Sequence, residues 1–128
     1  MPGLDITPRV SPGRQLIQSY GNMGFRIAGE AHRGSVIVLP ECTLPWAVRE
    51  AAAVTVASLA QLTEAETAAG ILVIGCGSRF EPAPDGLRQA LKQVGLALEW
   101  MDTGAACRTF NVLLAEERAC AAALIAVA

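Results

Sequence analysis

Leu96-Ala97-Leu98-Glu99-Trp100-Met101-Asp102-Thr103-Gly104-Ala105-Ala106-Cys107-Arg108-Thr109-Phe110-Asn111-Val112-Leu113-Leu114 reads as a strand that passes through a tight turn straight into a helix. Upstream, Ile71-Leu72-Val73-Ile74 is an unbroken apolar run bounded by glycine, the pattern of a strand covered on both faces, and it ends in Gly75-Cys76-Gly77-Ser78. Between the two strands Leu87, Leu91 and Val94 recur at helical spacing, with Asp85 near the start and Gly95 at the C-terminal capping position. Residues 71–101 are therefore expected to form a β-loop-α-β unit with parallel strands and a right-handed crossover. Asp102 or Thr103 is the expected cap of the next helix, which buries Ala106, Phe110 and Leu113, and Ala121–Val127 returns as a closing strand. Two strands that both end in small polar turns open a crevice at the carboxyl edge of a sheet.

The N-terminal half reads differently. Residues 1–14 are rich in Pro and Gly and are expected to be a flexible arm, ahead of a single domain over 15–128. Leu16–Tyr20, Phe25–Ala28 and Ser35–Leu39 read as strands of a β-meander, with turns at Gly21–Gly24, at Gly29-Glu30 and at His32-Arg33-Gly34. Between Leu44 and Gly70 the alanines favour a helix, although Val54-Thr55-Val56 would suit a strand. The best start signal is Thr55 as N-cap, with Val56, Leu59 and Leu62 at helical spacing behind it and a linker over 63–70. The expected fold class is α/β: one three-layer domain with a central mixed sheet, an N-terminal meander and a β-loop-α-β-α-β C-terminal half.

Composition narrows the function. The chain has 128 residues, 52% hydrophobic and 17% charged, with a net charge of −2. Lys92 is its single lysine, so no basic field stands ready for a nucleic-acid backbone. The uncharged runs 51–63, 67–78 and 119–128 fall short of the roughly 18–20 residues of a bilayer span, and prolines, glycines and charges break up any N-terminal signal segment. A cytoplasmic protein that meets a membrane only through partners is the expectation. Cys42, Cys76, Cys107 and Cys120 are scattered and His32 is the single histidine, which argues against a zinc site and a disulfide framework alike. No cofactor is implied.

Chemistry has few places to sit. Gly75-Cys76-Gly77-Ser78 could offer backbone N–H groups to an anion, but it lacks the third glycine of a dinucleotide fingerprint, and Arg79-Phe80-Glu81-Pro82 comes next instead of a helix start. A turn that needs glycine for close packing explains it as well. Cys76 and Cys107 lie near strand-helix junctions, where a thiol can be activated, yet no base is near in sequence and buried structural cysteine is the better reading. Thr103, Cys107 and Asn111 share one helical face with Arg108 beside them. They are expected either to line a ligand crevice or to fix the helix against Glu116-Glu117-Arg118. The candidate ligand-binding set is Gly77, Ser78, Thr103, Arg108, Asn111 and Tyr20. Trp46 is either a core plug or an exposed anchor for a partner, because tryptophan is enriched at binding hot spots. No catalytic carboxylate pair, Ser-His-Asp set or acidic metal cluster is evident.

Several short motifs in a fixed order carry a family resemblance: Ser19-Tyr20-Gly21 with Gly24-Phe25, Gly34-Ser35-Val36 leading to Leu39-Pro40, Trp46, Ile74-Gly75-Cys76-Gly77, Met101–Ala106 and Thr109–Arg118. From about Ile17 onward the chain resembles a domain-of-unknown-function family that includes the mitochondrial complex I assembly factor three and an adipogenesis-associated protein. That resemblance implies a three-layer α/β fold with no established enzymatic activity, and a role beside respiratory-complex or membrane-protein biogenesis subunits. The chain lacks an Arg- and Ser-rich targeting extension, as a bacterial member would. It has Cys76 where relatives often carry a small hydroxyl residue. Two functions fit these observations: a non-catalytic interaction or assembly-factor module, and a small-molecule or anion-binding protein, an enzyme included, that uses the crevice.

Overall fold

A computed structural model describes residues 14–65 and 69–128. The expected arm lies outside these residues except for Arg14, as do residues 66–68 of the expected linker. The first three strands, β1 (Ile17–Gly21), β2 (Gly24–Ile27) and β3 (Glu30–Arg33), form an antiparallel sheet in the order β1-β2-β3. Its hairpins are tight because Asn22 and Met23 in one, and Ala28 and Gly29 in the other, take the left-handed backbone that matches strand twist across a two-residue loop.

Here the structure departs from the sequence expectation. His32 and Arg33 belong to β3, not to a turn. The strand expected at 35–39 is β4 (Val36–Val38), which leaves the meander and joins a second sheet. The cause is burial: Val36, Ile37 and Val38 are all buried, and a strand with two apolar faces belongs in the middle of a sheet rather than on a half-solvated meander.

The second sheet has five strands in the order β5-β4-β8-β6-β7, with β5 (Thr43–Pro45), β6 (Ile71–Gly75), β7 (Ala97–Met101) and β8 (Cys120–Leu124) joining β4. β4 runs antiparallel to both neighbours, while β6 runs parallel to β7 and to β8, so the sheet is mixed. The helices are α1 (Ala60–Thr63), α2 (Leu87–Gln93) and α3 (Thr103–Ala115). One face of the sheet packs Ile37, Leu72, Ile74 and Leu98 against Trp46, Leu59, Leu62, Leu87 and Leu91. The other packs Val36, Val73 and Leu124 against Ala106, Phe110 and Leu114 of α3, which in turn meets Ile17, Phe25 and Ile27 of the meander. Phe110 is completely enclosed there, a burial that contributes about 1.5–3 kcal/mol.

Local signals set the helix ends. Asp102 caps α3, its Oδ1 accepting the Ala105 N–H at 2.9 Å. Leu114 is fully buried on this helix and Leu113 only partly so, which shifts the expected stripe by one position. Thr55 and Ser58 exchange side-chain-to-backbone bonds of 2.9 and 3.0 Å, a reciprocal cap at the expected start. The helical segment behind this cap is shorter than expected, a 3-10 turn over Ala57–Leu59 that runs into the single turn of α1. The alanines at Ala51–Ala53 form a separate 3-10 turn. At α2, Gly95 adopts the expected left-handed conformation, but Gly86 rather than Asp85 occupies the N-cap and Val94 is exposed beyond the last turn.

Candidate functional site

Where β6 ends, its carbonyls and amides pass directly into neighbouring segments. Ile125 N–H donates to Gly75 O at 3.0 Å, Cys76 N–H to Met101 O at 2.8 Å and Thr103 N–H to Gly77 O at 2.9 Å. Thr103 closes the junction with its side chain. Its Oγ1 accepts the Gly77 N–H at 3.1 Å and donates to Ile125 O at 2.7 Å, and the residue has no exposed surface. A Cβ at Gly75 would stand 2.8 Å from Thr103 Cα, so glycine is what allows α3 to approach the strand end this closely. Gly77 comes next but one at φ +121°, a conformation that glycine adopts without strain.

Cys76 is buried and organises the loop after β6. Its thiol donates to Arg79 O at 3.4 Å, and Sγ accepts the Glu81 N–H at 3.3 Å. Cys107 is buried on α3, and desolvation pushes its thiol up to about 12 despite the neighbouring Arg108 guanidinium. A thiol so held stays protonated at neutral pH and is a poor nucleophile.

The six candidate residues do not meet in one crevice. Gly77 and Ser78 line a cleft of about 680 Å³ with Arg49, Glu50, Arg79 and Glu81, over the carboxyl ends of β6 and β8. Tyr20, Arg108 and Asn111 lie around a separate depression of about 340 Å³ between β1 and α3. Thr103 lies beneath the surface, its hydroxyl bonded on both sides. Asn111 is a clamp: Oδ1 accepts the Ile17 N–H at 2.9 Å while Nδ2 donates to Ile17 O at 2.8 Å. This helix-fixing network binds β1 rather than the expected Glu116–Arg118 segment. Arg108 reaches the Tyr20 hydroxyl at 3.4 Å, and that hydroxyl lies over Gly104, where a Cβ would stand 2.6 Å away.

Trp46 is 5% exposed, and its indole N–H donates to Ser58 O at 2.7 Å, so the structure gives it the position of the core plug and not of an exposed anchor. Sequence reasoning passes over Ser35, a buried hydroxyl that accepts the Ala126 N–H at 3.0 Å, and over the arginines Arg33, Arg49 and Arg79 that rim the clefts. Each is ordinary in its local sequence, and only the fold brings them to the clefts. Among the described residues no three His, Cys, Asp or Glu side chains are grouped to hold a metal ion, and no helix is long and apolar enough to cross a membrane.

The fold class defined by this two-sheet α/β arrangement has solved examples. A crystal structure of an outer membrane protein from Bartonella henselae superposes with a TM-score of 0.78 at 39% identity, over 91% of this chain and 98% of that one. The chain belongs to the family described as Protein of unknown function (DUF498/DUF598), which matches residues 17–125. It is 40% identical over 122 residues to NADH dehydrogenase [ubiquinone] 1 alpha subcomplex assembly factor 3 of Danio rerio, covering 95% of this chain and 70% of that protein. It is also 36% identical over 113 residues to an uncharacterised protein of Rhodobacter capsulatus, covering 88% of this chain and 86% of the relative. Of the Xenopus tropicalis assembly factor the chain spans 60%. The family expected from the sequence motifs is the family found.

Proposed function

We propose that this chain is a non-catalytic interaction module that assists assembly of a respiratory NADH dehydrogenase, acting from the cytoplasmic side and meeting the membrane through its partners, with residues 15–128 as one folding unit. The observation that carries this reading is the 40% identity to the zebrafish assembly factor across 95% of the chain. The way the candidate polar groups are used supports it. Thr103 and Asn111 commit their side chains to backbone groups of this same chain, and Cys107 is kept protonated by burial. Affinity capture from solubilised native membranes tests the proposal. Recovery of NADH dehydrogenase subunits is expected, and recovery of the bait alone would count against it.

A second reading rests on the cleft at the end of β6, where Arg49 and Arg79 stand beside Gly77 and Ser78. That pairing suits a small anion. Thermal-shift screening against phosphate and carboxylate metabolites checks it: a ligand is expected to raise the melting temperature of wild type but not of Arg79→Ala, and a flat screen removes this reading.

A further inference from the structure

A groove of about 570 Å³ runs between the two sheets. Met23, Arg33 and Gly34 of the meander form one bank, and Pro45, Ala47 and Arg49 of the segment that begins with β5 form the other. The banks are held together by the chain beneath them. Trp46 N–H donates to Ser35 O at 2.9 Å and Ala126 N–H to Ser35 Oγ at 3.0 Å, while the bond from Gly34 N–H to Met23 O at 2.7 Å fixes the meander bank itself. The groove is therefore preformed rather than a gap between loose segments. Its lining is mostly apolar, with Pro45, Ala47 and Ala126 beside the buried Trp46 and Met23 standing 48% exposed.

The charge of this groove is one-sided. Each bank carries one arginine, and among the described residues its lining includes no carboxylate. Neither guanidinium has a hydrogen-bond or ion-pair partner among the described residues. The chain as a whole is net acidic at −2, so this local excess runs against the overall charge. An apolar floor between two cations that have no partner among the described residues fits a chain that brings both carboxylates and apolar side chains. A nucleic-acid backbone would not use the floor, and a bilayer headgroup surface is too flat to enter between the banks.

We propose that the Arg33–Arg49 groove is the docking surface for an extended acidic segment of a partner protein, its carboxylates held by one arginine on each bank and an apolar side chain laid over Trp46. This rests on the assembly-module reading and specifies the surface and partner chemistry it would use. Two exposed charge contacts at the rim steer and orient such a segment more than they bind it, so salt dependence belongs to the signature.

The test uses the full chain and a fluorescein-labelled twelve-residue peptide of alternating Glu and Val, with the Gln and Val peptide as its neutral control. Fluorescence anisotropy is expected to show binding of the acidic peptide that weakens roughly tenfold in Arg33→Glu/Arg49→Glu and to a lesser extent in Arg33→Gln/Arg49→Gln. Arg118→Glu, on the segment leading into β8, should leave it unchanged. Equal binding of the neutral peptide, no loss in either double variant, or binding of phosphatidylglycerol vesicles without binding of the peptide overturns the proposal. Capture from native membranes with the same variants separates the two readings. If NADH dehydrogenase subunits are recovered equally by wild type and the double variants, the groove is wrong and the assembly reading stands. If wild type recovers none of them while the peptide data hold, the assembly reading falls and the groove keeps an acidic partner of another kind.

Discussion

A single hydroxyl joins three segments at the end of β6. Thr103 satisfies Gly77 N–H and Ile125 O simultaneously and is itself fully buried, so Thr103→Val would leave a part-buried donor and a buried acceptor without this partner. Urea unfolding should show a loss of about 1–3 kcal/mol, and Thr103→Ser should recover most of it. A valine variant as stable as wild type would show that the junction is held by packing alone. Cys107 provides a pH-dependent counterpart. Its folded pKa, raised to about 12 from 9.0, means that the unfolded chain releases this proton first as pH rises. The stability it contributes is intact below pH 9 and is lost progressively as pH climbs towards 12. Between about pH 9 and 10.5 wild type should therefore lose stability more steeply than Cys107→Ala. Neither role is fully readable from sequence. Burial of the thiol is suggested by the apolar residues near it in sequence, Ala105, Ala106 and Phe110, but the bonds of Thr103 reach 22 and 26 residues away, where no local pattern points.

Among the elements, α3 is the one through which the others communicate. It packs on the five-stranded sheet with Ala106, Phe110 and Leu114 and grips the meander through the bidentate clamp of Asn111 on Ile17. Asn111→Ala removes both bonds to a part-buried backbone and should detach β1 before it disturbs the main sheet. Hydrogen exchange is expected to quicken at the amides of β1 and β2 while those of β6 and β8 keep their protection; uniform acceleration would mean that the meander unfolds only with the whole molecule. The elements legible in the sequence are those with local signals. β6 is visible as an apolar run and its parallel partner β7 as the short stretch between Gly95 and the capped helix, α3 as a capped periodic stretch, and the helical turn at Ala57 by its Thr55 cap. β3 is not visible, because Glu30-Ala31-His32-Arg33 is mostly exposed and shows no alternation. The pairing of β4 with β8 joins residues more than eighty apart, and only burial on both faces hints at it.

On the scale of the whole molecule, the thiols report how evenly the core is closed. Cys42 is exposed, while Cys76 is buried at the end of β6 and Cys107 and Cys120 are buried together in the core between α3 and the main sheet. Under native conditions Cys42 should react quickly with an aromatic disulfide reagent, and the other three at the rate of unfolding. Three fast thiols would reveal a looser molecule than this one. The candidate site illustrates the same limit of sequence reading at this scale. Its polar residues stand out along the chain, but folding distributes them over two depressions and commits Thr103 and Asn111 to internal bonds. The basic groove, in contrast, is assembled from Arg33 and Arg49, which no motif connects.

The position of β8 has a consequence for how the protein is made. It is the last of the eight described strands, yet it lies third of five in the main sheet, between β4 and β6. While a ribosome is still translating, β4 with β5 and β6 with β7 can each pair, but the two pairs have nothing between them. Their inner edges and the apolar face of α3 must wait until residue 124 has cleared the exit tunnel. Until then the growing chain presents open strand edges on both pairs. Open edges of this kind attract chaperones, and a chain cut short before β8 is expected to aggregate.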